Sequence, residues 1–313
     1  MFHCQITSQH SNNARLTMNN LDKLENVTCN LCGADDYKIR YIKDGYNIVQ
    51  CNKCDLVYVN PRLTQEAINQ LYDENYFLGE GFDKSVQYQN EFDELSDKID
   101  LSNWDASTIN ELLQTNNQTP KLLDIGCGMG LFLWKAKQAG FDVEGIELSP
   151  FAADFVRSKG IKVRDKSIYE EILPENYYDA ISMKEVIEHL PDPKTALQNI
   201  YDSLKPGGVL FMTTGNYACP ERKLRGKDWF YFMPEGHIYV FSNRTMTNYL
   251  KQIGFSKVMV TNQGDLLMDM LLSKNIIETD KFKPSNVFKR KIFGAVRAVN
   301  QFISSGMRIY AVK

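Results

Sequence analysis

The sequence predicts an α/β chain: a doubly wound, mostly parallel sheet preceded by a small cysteine-rich β module. Three observations carry that prediction. Residues 121–130, KLLDIGCGMG, run from an apolar stretch into glycines at spacing two and then into a helical pattern. The strand–turn–helix order repeats at once in FDVEGIEL and SPFAADFVRSKG. Upstream, two C-x-x-C pairs stand 18 residues apart.

Leu122, Leu123 and Ile125 make the first strand, interrupted by Asp124. Gly126, Gly128 and Gly130 lead into LFLWKAKQAG, a helix expected to stop at Gly140. Such a turn brings a ligand against bare backbone at a helix N-terminus. The next strand ends on Glu147, 17 residues past Gly130, where a carboxylate can accept hydrogen bonds from both hydroxyls of a ribose. No G-K-[ST] follows the glycines, which excludes a phosphate-binding P-loop.

DIGCGMG resembles motif I of the class I S-adenosylmethionine-dependent methyltransferases, D-x-G-x-G-x-G, and GIELSP resembles their ribose-binding motif. The resemblance continues through DAISMKEVIEHLPDP and LKPGG, covering most of residues 105–262. It implies a Rossmann-like, seven-stranded methyltransferase domain over 115–313 with S-adenosylmethionine as cofactor. Asp124, Gly126, Cys127, Gly128 and Gly130 would shape the cofactor loop, and Glu147 and Leu148 would meet the ribose. Lys166, Ser167 and Ile168 would hold the adenine, with Met183 at the tip of the fourth strand. Tyr76, Phe77 and Tyr88, in a helical lid over 63–114, would close the methionine end or simply pack.

The chain of 313 residues has room for one α/β domain and a smaller module. Its formal net charge of −3 offers no bulk attraction to nucleic acid. No run of 18 apolar residues suggests a membrane span, and the polar segment 1–20 reads as a disordered tail, with Met18 an alternative start. Four of the seven cysteines lie in the C-x-x-C pairs, a usage that points to the cytoplasm.

Cys29, Cys32, Cys51 and Cys54 have the spacing of two knuckles converging on one tetrahedral ion. Between them, YKIRYIKDGYNIVQ reads as a hairpin around Asp44 and Gly45. A structural Zn²⁺ in a ribbon over 21–62 is the favoured reading. An iron–sulfur or redox site and a pair of disulfides are the alternatives. The run that follows resembles the zinc module fused to bacterial methyltransferases of sugars and other small metabolites. Those enzymes carry a long further C-terminal domain with no counterpart in this sequence.

The remaining elements follow in order. QEAINQLYDENYF reads as a helix capped by Thr64, and a second helix starts at Asp100 or Ser102. IKVRDKSIYEEI gives a short third strand and YYDAISMKEVIEHL the fourth. Pro191 and Pro193 break the chain before a helix over TALQNIYDSL. LKPGG is a turn, VLFMTTGN the fifth strand, FSNRTMTNYLKQIGF a helix capped by Ser242 or Asn243, KVMVTNQG the sixth strand and MRIYAVK the seventh. Between the last two lies a helical insertion over about 265–306. Its basic, apolar-striped segment is either an amphipathic helix for peripheral contact with anionic lipid or a helix packed on the protein.

Methyl transfer to a hydroxyl needs alignment, exclusion of water and a base or metal to take the proton. Two histidines lie outside the polar tail, His189 and His237. E-V-I-E-H, ending in Glu188 and His189, together with the later His237 resembles the set that holds a divalent ion in ubiquinone-type O-methyltransferases and small-RNA 2′-O-methyltransferases. His237 as general base, a shared Mg²⁺ or Mn²⁺ site, and structural histidines are the three readings. Trp229, Phe230, Tyr231, Phe232 and Tyr239 could face a sugar ring or pack a lid. Arg222, Lys223, Arg225 and Lys227 could meet an anionic substrate or form a solvated loop.

The expected function is methylation of a small hydroxylated molecule, most specifically O-methylation of a nucleotide sugar or surface-glycan sugar. Sugar C-methylation, RNA 2′-O-methylation and a non-catalytic zinc-ribbon binding protein are the alternatives. No basic stripe favours a nucleic-acid partner, and the sequence does not specify an oligomer.

Overall fold

A computed structural model describes residues 23–79, 88–98, 101–113, 119–263 and 305–313. The tail over 1–20, the side chain of Tyr88 and the insertion up to residue 304, where a basic helix was expected, lie outside them.

The N-terminal part begins with β1 (Leu24–Glu25), β2 (Tyr37–Lys43), β3 (Tyr46–Cys51), β4 (Val57–Val59) and β5 (Arg62–Leu63). The β2–β3 hairpin turns at Asp44 and Gly45, with φ of 52° and 87°, the paired left-handed conformation that a tight hairpin requires. β1 pairs with β5.

Two short helices follow, α1 (Gln65–Asn69) and α2 (Glu74–Phe77), where one was expected. Asp73 divides them: its carboxylate accepts the Tyr76 N–H and starts a second helix. α3 (Tyr88–Leu95) and α4 (Leu101–Leu112) complete this region.

The main sheet alternates β6 (Lys121–Ile125), α5 (Leu131–Gln138), β7 (Asp142–Ile146), α6 (Pro150–Ser158), β8 (Lys162–Arg164), β9 (Tyr178–Lys184), α7 (Pro193–Ser203) and β10 (Leu204–Gly215). Pro193 does not break the chain ahead of α7. It occupies the first turn, where its missing N–H costs nothing, behind an Asp192 cap. α8 (Pro220–Arg225), β11 (Tyr239–Val240), α9 (Asn243–Ile253), β12 (Lys257–Gln263) and β13 (Gly306–Val312) end the chain.

Seven strands stand in the order β12-β13-β10-β9-β6-β7-β8. β6 to β10 run parallel, and β13 inserts antiparallel between β10 and β12. This is the sheet expected from the sequence, with MRIYAVK as the reversed strand. The chain therefore has an α/β Rossmann-like fold, its strand tips β6, β7 and β9 opening on one edge.

One pairing was not expected. β11, far along the chain, adds antiparallel to β4, so the cysteine-bearing sheet has the order β11-β4-β3-β2. Ile48, Val57, Trp229, Phe232 and Val240 form one buried cluster across this junction. The boundary read at residue 62 is thus crossed by main-chain hydrogen bonds and apolar packing.

Candidate active site

The tips of β6, β7 and β9 frame a cleft of ≈ 300 Å³. Gly126, Gly128 and Gly130 have φ of 67°, 52° and 77°, and a Cβ on Gly126 would sit 2.5 Å from Val186 Cγ2. Side chains are excluded there, leaving backbone to face the cleft. α5 starts directly behind the loop and turns its N-terminal N–H groups toward it.

Glu147, at the end of β7, is buried. Its Oε2 accepts the Gly128 N–H at 2.8 Å and its Oε1 the Ser149 N–H at 2.9 Å. Each oxygen retains a second lone pair for a ligand hydroxyl. Burial raises its pKa despite these bonds. Asp124 is buried too, and desolvation pushes it up to about 7, offset in part by Ser182, whose Oγ lies at 2.6 Å.

Leu148, Lys166, Ser167 and Ile168 line the cleft, as do Cys127 and the lid aromatics Tyr76 and Phe77. Met183 does not line it. Side chains alternate along a strand, so Ser182 and Lys184 share the face of Asp124 while Met183 turns into the core. Lys184, which the sequence reading passed over, lines the cleft, with Nζ 3.4 Å from Ser102 Oγ and 5.0 Å from the Phe132 ring centroid. A cation at the tip of a buried strand was its only signal.

The acid–base cluster lies beside this cleft. Glu185 takes a left-handed φ of 51°, an uncommon conformation for a residue with a Cβ. Its carboxyl is pushed up to about 8 by burial and by the charge of Glu188. Glu188 is fully buried in a 3₁₀ turn over Ile187–His189. It accepts the Tyr231 hydroxyl through Oε1 and the Thr214 hydroxyl, at 3.0 Å, through Oε2. Tyr231 Oη also lies 3.2 Å from Glu185 Oε2.

His189 Nδ1 lies 2.8 Å from the Gly236 carbonyl and His237 Nδ1 2.8 Å from the Tyr231 carbonyl. A carbonyl only accepts, so both Nδ1 atoms carry the proton when the rings are neutral and both Nε2 atoms keep a lone pair. The rings stand 4.8 Å apart. Ligand atoms of Glu188, His189 and His237 all lie within 4.8 Å of one another.

The structure brings Glu188, His189 and His237 together, as the sequence reading grouped them, but they do not face the cleft alike. His189 and Glu185 line the cleft, whereas His237 is buried behind them. Burial and the neighbouring His189 drive the pKa of His237 well below its ordinary value. Of the loop aromatics, Trp229, Tyr231, Phe232 and Tyr239 are buried and Phe230 is exposed. They pack the loop, and none lines the cleft. Arg222 donates to the Tyr217 carbonyl and Arg225 pairs with Glu221, so these two basic residues serve the loop itself.

In the N-terminal module, Cys29 and Cys54 sulfurs lie 3.3 Å apart and Cys32 and Cys51 sulfurs 3.6 Å apart. Four sulfurs about 2.3 Å from one ion would stand roughly 3.8 Å apart, so the donor set fits a tetrahedral metal. Both knuckles share one geometry. Gly33 N–H bonds the Cys29 carbonyl and Asp55 N–H the Cys51 carbonyl, with positive φ at Gly33 and Asp55.

Comparison with known proteins agrees with this architecture. Residues 87–260 match the family model described as a methyltransferase domain. Over 106 residues the chain is 35% identical to the ubiquinone biosynthesis O-methyltransferase of Bordetella avium, covering 32% of this chain and 44% of that one. The same-named protein of Pseudomonas entomophila is 34% identical over 103 residues, covering 31% and 44%. The chain therefore spans less than half the length of these curated relatives. The crystal structure of a SAM-dependent methyltransferase from Archaeoglobus fulgidus superposes with a TM-score of 0.50 at 20% identity, over 72% of this chain and 99% of that one. This likeness is one of fold.

The chain belongs to the methyltransferase-domain family. It has the α/β Rossmann-like fold of a methyltransferase domain. Among the described residues no helix is long and apolar enough to cross a membrane.

Proposed function

We propose that the protein O-methylates a small hydroxylated molecule, with the Glu188–His189–His237 cluster activating the acceptor beside the cofactor cleft. The observation that carries this reading is the pair of imidazoles, each bonded through Nδ1 to a carbonyl, with a carboxylate within 4.8 Å. Metal-bound histidines are held in the same way. Two neutral imidazoles with one or two carboxylates suit Mn²⁺ or, with more oxygen ligands, Mg²⁺.

S-adenosylmethionine, when bound, supplies a methyl group on a sulfonium leaving group. The glycine loop and Glu147 would fix the nucleoside, and Asp124 would offset the cofactor's positive charge. Tyr76 and Phe77 would exclude water from the methionine end. A divalent ion at the cluster would acidify the acceptor hydroxyl. The carboxylate of Glu185, which lines the cleft, would receive that proton as the O–C bond forms and the S–C bond breaks, while His189 would help to hold the ion. His237, buried behind them, acts as ligand and support for His189 instead of as the base.

The nucleotide-sugar acceptor expected from the sequence is not carried forward. The relatives described above are named for ubiquinone biosynthesis, which supports O-methylation and gives a sugar no support. We also read Cys29, Cys32, Cys51 and Cys54 as ligands of a structural Zn²⁺, since four protein sulfurs leave no open position.

The test is transfer of labelled methyl to a panel of phenols, catechols and nucleotide sugars. Expected is a methyl ether whose formation is raised by Mn²⁺ or Mg²⁺ and abolished by His189→Ala. A carbon-methylated product, or turnover unaffected by His189→Ala, overturns the reading.

A further inference from the structure

The cysteine module holds both histidine-bearing segments, through an edge of its sheet, through Arg62 and through Asn30 of its first knuckle. Immediately after His237 the chain becomes a strand of the module's sheet. Val59 N–H donates to the Ile238 carbonyl at 3.0 Å, and Tyr239 and Val240 pair with Tyr58 and Val57. A strand two residues past a functional side chain has little freedom of its own, because its register is set by the partner strand.

The segment after His189 is held by two module side chains. Arg62, 6% exposed, donates from Nη1 to the Pro191 carbonyl at 3.1 Å and to Tyr239 Oη at 3.0 Å, while its Nε bonds Glu25 at 2.9 Å. One guanidinium therefore ties the chain two residues past His189 to the chain two residues past His237. Asn30, inside the first C-x-x-C turn, donates to Asp192 Oδ1 at 2.9 Å. Its Oδ1 accepts the Lys194 N–H at 3.1 Å and the Tyr249 hydroxyl at 3.0 Å. The knuckle thereby extends the cap of α7, whose N-terminus directly follows the histidine turn.

The two histidine segments also depend on each other, since the His189 ring bonds the carbonyl of Gly236, the neighbour of His237. A shift of either segment would break the Nδ1 bond that fixes the tautomer and orientation of the His189 ring. The cofactor side of the cleft is built differently, from the glycine loop, Glu147 and α5.

We propose that the Cys4 module is a positioning element of the methyl-transfer site, with Asn30 and Arg62 as positioning residues that transmit the order of the cysteine knuckles to His189 and His237. The inference rests on the reading of those histidines as the acceptor-activating pair. It makes the site's acid–base half conditional on the sulfur-bound metal and leaves cofactor binding independent of it.

Imidazole ¹⁵N–¹H correlation spectra test this, because they report the tautomer of each ring whether it serves as ligand or as base. Full-length protein with one equivalent of Zn²⁺, which soft thiolates take first, should show two rings locked as the Nδ1–H tautomer. Stripping the zinc, or introducing Asn30→Ala or Arg62→Gln into zinc-loaded protein, should replace that pattern by averaged tautomers. Affinity for S-adenosylhomocysteine in calorimetry should stay within about threefold, under 1 kcal/mol. If the stripped protein unfolds, the two zinc-loaded variants decide. Locked tautomers persisting in both variants, or in folded stripped protein, overturn the proposal. Failure of the methylation assay alone leaves these spectra unchanged and bears on the function only.

Discussion

Glu147 Oε2 accepts the backbone N–H of Gly128 at 2.8 Å, so the carboxylate at the end of one strand fixes the glycine turn at the end of its neighbour. The same carboxylate holds Ser149 N–H at the head of α6. It is thus the organiser of the loop and, in the proposed reading, the group that receives ribose hydroxyls.

Replacing Glu147 by Ala removes both functions. Hydrogen bonds to a charged group contribute about 1.5–3 kcal/mol each, and two ribose contacts would be lost. Affinity for S-adenosylhomocysteine should fall on the order of 100-fold or more, equivalent to about 3 kcal/mol. Calorimetric titration measures it. Binding unchanged in Glu147→Ala would refute the assignment.

Asp124 should make cofactor binding depend on pH. Burial raises its carboxyl from 3.8 to about 7 in the folded protein. The folded state therefore holds this proton more tightly than the unfolded chain. Its stabilising effect is complete below the unfolded value and is lost as pH rises through about 7. Binding of the cationic cofactor favours the carboxylate, so S-adenosylmethionine should bind more weakly at pH 6 than at pH 8 and should release a proton at the lower pH. Calorimetry at pH 6 in buffers of different ionisation enthalpy reads that proton directly. Asp124→Asn should abolish the buffer dependence, and its persistence would move the effect to another group.

The glycine loop, the repeated strand–helix units and the final strand were legible because each is a local pattern: an apolar run, a turn residue, a cap. The Glu188, His189 and His237 grouping was legible only through the resemblance of E-x-x-E-H, since nothing local joins residue 189 to 237. Two features escaped for physical reasons. The pairing of β4 with β11 is a contact between very short strands, three residues against two, far apart in the chain. Backbone pairing of that length leaves no periodic signature. The burial of Trp229, Phe232 and Tyr239 is likewise decided by the module they cover. Aromatic residues alone serve equally for ligand stacking and for packing.

Metal content should separate the two proposed sites. Purified protein should carry about one Zn²⁺ per chain, and Co²⁺ exchanged into it should give the intense thiolate-to-metal absorption of a tetrahedral S₄ site. Cys29→Ser should lose that band. Glu188→Gln should leave it unchanged, because Glu188 belongs to the other cluster. Loss of the band in both variants would mean that the cysteines do not form a site of their own.

Gly145 gives a steric test of the loop's packing. A Cβ there would lie 2.7 Å from Cys127 Sγ and 3.0 Å from Leu133 Cδ1. Both neighbours are buried, so neither can swing into solvent. Gly145→Ala should destabilise the protein by about 1–3 kcal/mol, the usual cost of overpacking, and should also weaken S-adenosylhomocysteine binding, because the displaced Cys127 sits between Gly126 and Gly128. Removing the sulfur relieves the closest contact, while the Cys127 Cβ at 3.3 Å remains. Gly145→Ala combined with Cys127→Ala should therefore recover part of the loss, giving a favourable coupling of about 0.5–2 kcal/mol in a double-mutant cycle. Denaturant melts of the four proteins measure it. Strict additivity would mean that the strand, not Cys127, absorbs the added methyl group.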